Sequence, residues 1–235
     1  MTTHEIIDIN GRRCHIINGG MVPSCIIVKP LGEFEWKCLE EECDLIASLT
    51  GVPFTMIAFE VTEKYLRKEG AEETFRYLTE SLIPYIYNTY AMVPLILGGY
   101  SLGGLFALWS ATKTDIFDAV MAGSPSLWVD GWEEYVTANP PQVKYLYMSL
   151  GDKEECTKKH PYCIIGDRVR RQHERNLQQF GEDCCTLVWN KGGHFADIEQ
   201  RKANGFAWCI EKLTSTYSPD IPQGRQAGWP QGGTA

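Results

Sequence analysis

Residues 90–112 carry no charged side chain, and this stretch limits the fold more than any other part of the chain. It is long enough to cross a bilayer, and it holds Gly99-x-x-x-Gly103, a spacing that pairs helices in membranes. Pro94 and four glycines interrupt it, however, and it divides into a β-rich half and a helical half. Residues 93–98 read as a strand buried on both faces, and residues 102–112 as a helix. A membrane span is therefore not expected. A buried parallel strand running straight into a helix is the unit from which α/β sheets are built.

The rest of the chain repeats this alternation. Residues 4–9 and 12–17 flank Asn10-Gly11, a hairpin signal. Strands are expected at 25–28 (ended by Pro30 and Gly32), 54–61, 118–122, 143–150 and 186–190. Helices are expected at 39–49 with a stop at Gly51, at 71–87 with a kink or end at Pro84, and at 132–137, 167–180 and 197–213. This predicts a mostly parallel central sheet of about eight strands with an antiparallel N-terminal hairpin and helices on both faces. Residues 1–217 form one domain in this reading. Residues 218–235, rich in Gly, Pro and Gln, read as a flexible tail.

Charge and cysteine usage exclude several functions. The 22 Lys+Arg against 30 Asp+Glu leave a net charge of −8, which disfavours nucleic acid and anionic membranes as partners. Nine cysteines, an odd number without a CxxC pair, and an N-terminus without a signal pattern suggest reduced, mostly buried thiols in a cytoplasmic protein. Cys156, His160 and Cys163 place three potential ligands within eight residues, but no fourth follows at matching spacing. Neither a metal nor a cofactor is expected.

Chemistry concentrates at Gly99-Tyr100-Ser101-Leu102-Gly103, between the apolar strand and its helix. A serine on such a sharp turn is pushed above the sheet edge, and both flanking glycines must be small for the turn to close. The helix start behind Ser101 offers free N–H groups, so Leu102 N–H is a natural oxyanion donor. A serine hydroxyl needs a base. Of the five histidines, His194 follows the last strand in Lys191-Gly192-Gly193-His194-Phe195, a loop that can return to the sheet edge. His173 lies on a helical stripe with Val169, Leu177 and Phe180, as a packing residue does. The acid that orients the imidazole belongs after the 143–150 strand, where Asp152, Glu154 and Glu155 compete.

GGYSLGGLFALW, SPSLW, SLGDKEE and GGHF, in this order, resemble the α/β-hydrolase superfamily. The likeness is nearest to the esterase D and enterochelin-esterase-like esterases, and it runs from about Cys25 to Leu213. It implies an α/β-hydrolase fold and an acid in a Gly-x-x-Asp/Glu pattern, which Gly151 to Glu154 matches. Glu154 is then the first choice and Asp152 the second. It also implies a second oxyanion donor after the third strand, in residues 29–33. Pro30 has no N–H, leaving Leu31 or Gly32.

The spacing between 122 and 143 leaves no room for a cap domain, so a shallow, open cleft is expected, favouring short acyl chains. Trp128, Tyr100, Phe34, Trp36 and residues 156–166 would roof it, with Tyr100 and Trp128 contacting substrate. Should Glu33 face the cleft, anionic substrates are disfavoured. The expected function is a serine hydrolase acting on a small carboxylic ester or thioester through an acyl-enzyme on Ser101. An acyltransferase using the same intermediate and a non-catalytic binding protein are the alternatives. The expected partner is the small-molecule substrate, and a homodimer stays open.

Overall fold

A computed structural model describes residues 3–18, 21–33, 35–66 and 68–215. The tail at 218–235 and Phe34 lie outside the described residues. Eight strands form one sheet: β1 (Thr3–Ile9), β2 (Arg12–Asn18), β3 (Cys25–Leu31), β4 (Phe54–Glu60), β5 (Leu95–Tyr100), β6 (Ala119–Gly123), β7 (Tyr145–Gly151) and β8 (Cys185–Asn190). Their spatial order is β1-β2-β4-β3-β5-β6-β7-β8. The pairs β1–β2 and β2–β4 are antiparallel and the rest parallel. Asn10 (φ 49°) and Gly11 (φ 81°) supply the left-handed pair that a two-residue hairpin turn needs.

Among the described residues, seven α-helices cover this sheet: α1 (Leu39–Thr50), α2 (Lys68–Tyr77), α3 (Ile83–Thr89), α4 (Leu102–Ala111), α5 (Trp132–Ala138), α6 (Ile165–Phe180) and α7 (Ile198–Ser215). Leu39, Cys43 and Ile46 of α1 pack with Phe206, Cys209, Ile210 and Leu213 of α7 on one face. On the other, Leu82 and Ile86, Phe106 and Leu108, Trp132 and Val169 share a second core with Val28, Leu97 and Val120. The sheet is thus buried on both sides, as its unbroken apolar strands require.

Pro30 behaves differently from the sequence expectation, and Pro84 meets only one half of it. Strand β3 runs through Pro30 to Leu31 rather than stopping before it. Ile26 N–H donates to Pro94 C=O on the β5 side, so Pro30, four residues on, also aims its nitrogen there. Pairing with β5 covers only Ile26 to Val28, and no ladder bond is lost at Pro30. Pro84 does not end its helix either. A π-turn over Leu78–Leu82 widens the backbone one turn earlier, and α3 continues to Thr89.

The chain passes from β3 through α1 to β4 on one side of β3, then through α2 and α3 to β5 on the other. The tips of β3 and β5 therefore flank the topological switch point, where open α/β sheets leave a crevice. Beside this point, under α1 and α7, lies a buried cluster of charge. Lys29 Nζ of β3 and Lys202 Nζ of α7 each lie 2.7 Å from Glu42 Oε2 of α1, and each of the three side chains is only 1% exposed. Burial alone would raise the Glu42 carboxyl, but the two ammonium groups outweigh it and hold it below the usual range.

Breaking this cluster should be expensive. Glu42→Gln takes the Glu42 counter-charge from Lys29 and leaves Lys202 the more distant Glu35 (3.8 Å) and Glu199 (4.0 Å) carboxylates, and it is expected to lower unfolding free energy by about 3–5 kcal/mol in urea titrations. Because the native Glu42 value is lowered, its contribution is complete above about pH 4.3 and drains away as pH falls through the lower native value. The wild type should therefore lose stability in acid more steeply than Glu42→Gln.

Candidate active site

Ser101 occupies the turn between β5 and α4 at φ 56°, ψ −113°, a backbone state rarely adopted by non-glycine residues. Closure of the turn depends on Gly99, where a Cβ would lie 2.6 Å from the Gly103 carbonyl carbon. Ser101 N–H donates to Gly123 C=O, and its own carbonyl accepts from Leu105 and Ser126 N–H. The turn is thus fastened to β6 and to the segment following it. Leu102 opens α4, and as the first helical residue its N–H has no acceptor within the helix. Four non-glycine residues among those described have positive φ, and three of them, Ser101, Ser124 and Asp197, lie on segments leaving the strand tips toward the site.

His194 Nδ1 lies 2.7 Å from Glu154 Oε2, the contact that fixes an imidazole's orientation. A carboxylate only accepts, so Nδ1 carries the proton and Nε2 is left as the basic nitrogen. Glu154 begins a short 3-10 turn (Glu154–Cys156) just beyond β7. Its other oxygen, Oε1, accepts from Gly151 N–H at 2.7 Å and Ser124 Oγ at 2.8 Å. Burial pushes the Glu154 carboxyl up, but the bonds from His194, Ser124 and Gly151 N–H more than reverse this and hold it below the ordinary carboxylate range. Asp152, the second-choice acid, instead accepts from Gly192 N–H at 2.8 Å and shapes the histidine loop.

Ser101, Glu154 and His194 line one cleft of about 1020 Å³. No hydrogen bond joins Ser101 to His194 among the described residues, and Ser101 Oγ instead meets Ser126 Oγ at 3.3 Å. Ligand-free hydrolytic sites commonly show such a relaxed arrangement, which tightens when substrate arrives. Of the two predicted second donors, Gly32 is engaged and Leu31 lies within the sheet. Leu31 belongs to the β3–β4 ladder, its carbonyl accepting from Val61 N–H. Gly32 N–H donates to Glu35 Oε2 at 2.7 Å while Glu35 N–H returns to Gly32 C=O, a reciprocal cap on the 3-10 turn Glu35–Cys38.

The cleft is roomier than loop lengths alone suggested. Its walls include Val61, Thr62 and Leu66 beyond β4, Thr157, Tyr162 and Ile165 beyond β7, and Phe195 and Ile198 beyond β8. Trp128 lines it, edge-on to Tyr162 at 5.0 Å between ring centroids. Trp36 is exposed and is not part of its lining. Tyr100 contributes its ring to the wall but turns its hydroxyl inward, donating to His194 C=O at 2.7 Å. Glu33 and Glu35 face the cleft together with Lys153.

Ser124, Ser126, Phe195 and Arg201 escaped the sequence reading. The serines of Gly123-Ser124-Pro125-Ser126 stood in a quoted motif and at a strand end, which was signal enough to weigh them. Arg201 gave none, since an arginine in a helix reads as surface.

The remaining titratable clusters do not compete with this site. All nine cysteines are free, and burial pushes the thiols of Cys14 and Cys25 up to about 11 and about 12. No group of three or more His, Cys, Asp or Glu side chains among the described residues is placed to hold a metal ion. No described helix is long and apolar enough to cross a membrane.

A strand–turn–helix serine followed along the chain by an acid and a histidine, each on a strand tip of a mostly parallel eight-stranded sheet, is the architecture of the α/β-hydrolases. The sequence profile of the family described as "Putative esterase" matches residues 56–182, and the chain belongs to this family, as an enzyme of the carboxylesterase type. No curated protein matches it in sequence. Among solved structures, it is similar to an IroE-like serine hydrolase from Shewanella oneidensis, with 14% identity, TM-score 0.64, and coverage of 90% of this chain and 80% of that one. The siderophore hydrolase EstA from Aspergillus nidulans gives 15% identity, TM-score 0.60, and coverage of 91% and 95%. The enterobactin esterase FES from Shigella flexneri, solved in the presence of 2,3-di-hydroxy-N-benzoyl-serine, gives 15%, 0.63, and coverage of 93% and 60%. At these identities the likeness establishes a shared fold.

The tightness of the serine turn sets an expectation. Gly99→Ala forces its methyl into the Gly103 backbone, which cannot retreat without moving Ser101. Loss of roughly 1–3 kcal/mol of stability is expected in chemical denaturation, with slower labelling of Ser101 by a fluorophosphonate.

Proposed function

We propose that this protein is a serine hydrolase that cleaves a carboxylic ester or thioester through an acyl-enzyme on Ser101. The observation that carries the reading is the 2.7 Å contact between Glu154 and His194 Nδ1, which leaves Nε2 basic in the cleft that also holds Ser101. His194 Nε2 takes the Ser101 hydroxyl proton as Oγ adds to the substrate carbonyl carbon. Leu102 N–H stabilises the resulting oxyanion, aided by the positive end of α4. Gly32 N–H joins it once the Glu35 carboxylate gives way. The imidazolium then passes its proton to the departing alcohol or thiol. Water, deprotonated by the same nitrogen, releases the acid and regenerates the serine.

The cleft supports a substrate larger than an acetate ester. Its volume reaches the upper end of ordinary ligand sites, and Trp128, Tyr162, Leu66, Ile165 and Phe195 give it an apolar lining. With Glu33 and Glu35 on the wall, a neutral acyl group is favoured over an anionic one.

A fluorophosphonate should label the wild type at Ser101, as read by peptide mass. Ser101→Ala should lose at least about a thousandfold in turnover of aryl esters, and unchanged turnover would refute the mechanism. The acid assignment is separable. Glu154→Gln should lower kcat by roughly a hundredfold or more with little change in KM, whereas Asp152→Asn should stay within about threefold of wild type. The reverse pattern would transfer the role to Asp152.

A further inference from the structure

Arg201 is 2% exposed and sits in the first turn of α7, seven residues after His194. Burying a guanidinium costs several kcal/mol unless its donors are well used. Its two terminal nitrogens bond to the tips of three different strands, while its buried Nε has no partner among the described residues. Nη1 lies 3.0 Å from the Tyr100 hydroxyl, next to Ser101, and 3.3 Å from Glu154 Oε1. Nη2 donates to Lys191 C=O at 3.1 Å, at the start of the histidine loop. The Tyr100 hydroxyl passes the contact on to the backbone carbonyl of His194 itself.

Two further observations show that the surroundings are shaped to this side chain. A Cβ at Gly151 would lie 2.9 Å from Arg201 Nη2, 2.9 Å from Glu154 Oε1 and 2.4 Å from Gly192 C=O, so only a glycine lets the guanidinium reach between the two loops. The two oxygens of Glu154 also divide their work. Oε1 is anchored by Gly151 N–H, Ser124 and Arg201, which leaves Oε2 for His194 Nδ1. Removing Arg201 takes away the one cationic donor on Oε1 and the only link among these contacts that reaches all three tips.

We propose, building on the esterase reading above, that Arg201 is a positioning residue that locks the acid, the histidine loop and the serine turn into one rigid unit. It acts through Glu154, Tyr100 and Lys191 and does not touch the substrate.

The test compares Arg201→Met, Arg201→Lys, Tyr100→Phe and the Arg201→Met/Tyr100→Phe pair with wild type, using kcat and KM per folded molecule and the downfield proton resonance of the His194–Glu154 hydrogen bond. Arg201→Met should lose at least about tenfold in kcat with KM changed less than about threefold, and the resonance should broaden into exchange. Arg201→Lys should fall between it and wild type. Tyr100→Phe should fall in the same direction, and the pair should be no worse than Arg201→Met alone, because both cut one chain of contacts. Wild-type kcat and an intact resonance in folded Arg201→Met would overturn the proposal, as would fully additive losses in the pair. Should Arg201→Met fail to fold, Tyr100→Phe decides, and unchanged kcat and resonance there overturn it. Should the wild type turn over no ester, the hydrolase reading fails, and the resonance alone still decides the role of Arg201.

Discussion

The site depends on one backbone approach, that of Gly99 and Gly103 across the turn that carries Ser101. The helix can start immediately after the strand only because these two residues bring their main chains into contact where a single methyl would not fit. That closeness produces the unusual φ of Ser101 and points the free N–H groups of α4 at the crevice between β3 and β5. The rest of the sheet holds the turn in place. β6 binds it through Gly123, and the segment after β6 binds it again through Ser126. Two buried apolar layers supply the packing that sustains a strained serine.

Buried charge is the second organising element, and α7 is where it gathers. Arg201 and Lys202 are neighbours in sequence and both almost fully buried, yet they serve different clusters. Successive helical residues point about 100° apart, so one turn of helix can address two regions of the sheet edge. Lys202 meets Glu42 with Lys29 beneath β3, and lies 3.8 Å from the Glu35 carboxylate that caps Gly32. Arg201 meets Glu154 beside β7. The helix therefore contacts both flanks of the crevice, the one that carries Gly32 and the one that carries Glu154.

Most of the architecture was legible because the signals were local. Alternating apolar runs located the strands, Asn10-Gly11 marked the hairpin, and Gly51 marked the end of α1 in a left-handed conformation. Ser101 and His194 stood out because glycines surround them at strand ends, and Glu154 followed from the likeness to known esterases. What escaped was settled by tertiary structure. Pro30 looked like a stop until the orientation of its nitrogen relative to a non-consecutive strand was known. Pro84 marked a break in helical regularity, but the form it takes, a wide turn over Leu78–Leu82, leaves no mark in the sequence. Gly32 seemed a free donor, but Glu35, three residues on, claims its N–H. Lys29, Glu42, Arg201 and Lys202 resemble solvent-facing residues in any linear reading, because only the folded chain shows which opposite charge each one meets.

The position of α7 in the chain has a consequence for biosynthesis. Ser101 precedes His194 by ninety-three residues, so its turn leaves the ribosome before the histidine loop and the helix bearing Arg201. A nascent chain that ends before residue 194 lacks the imidazole that meets Glu154. The order of synthesis thus supplies the hydroxyl before the imidazole that shares its cleft.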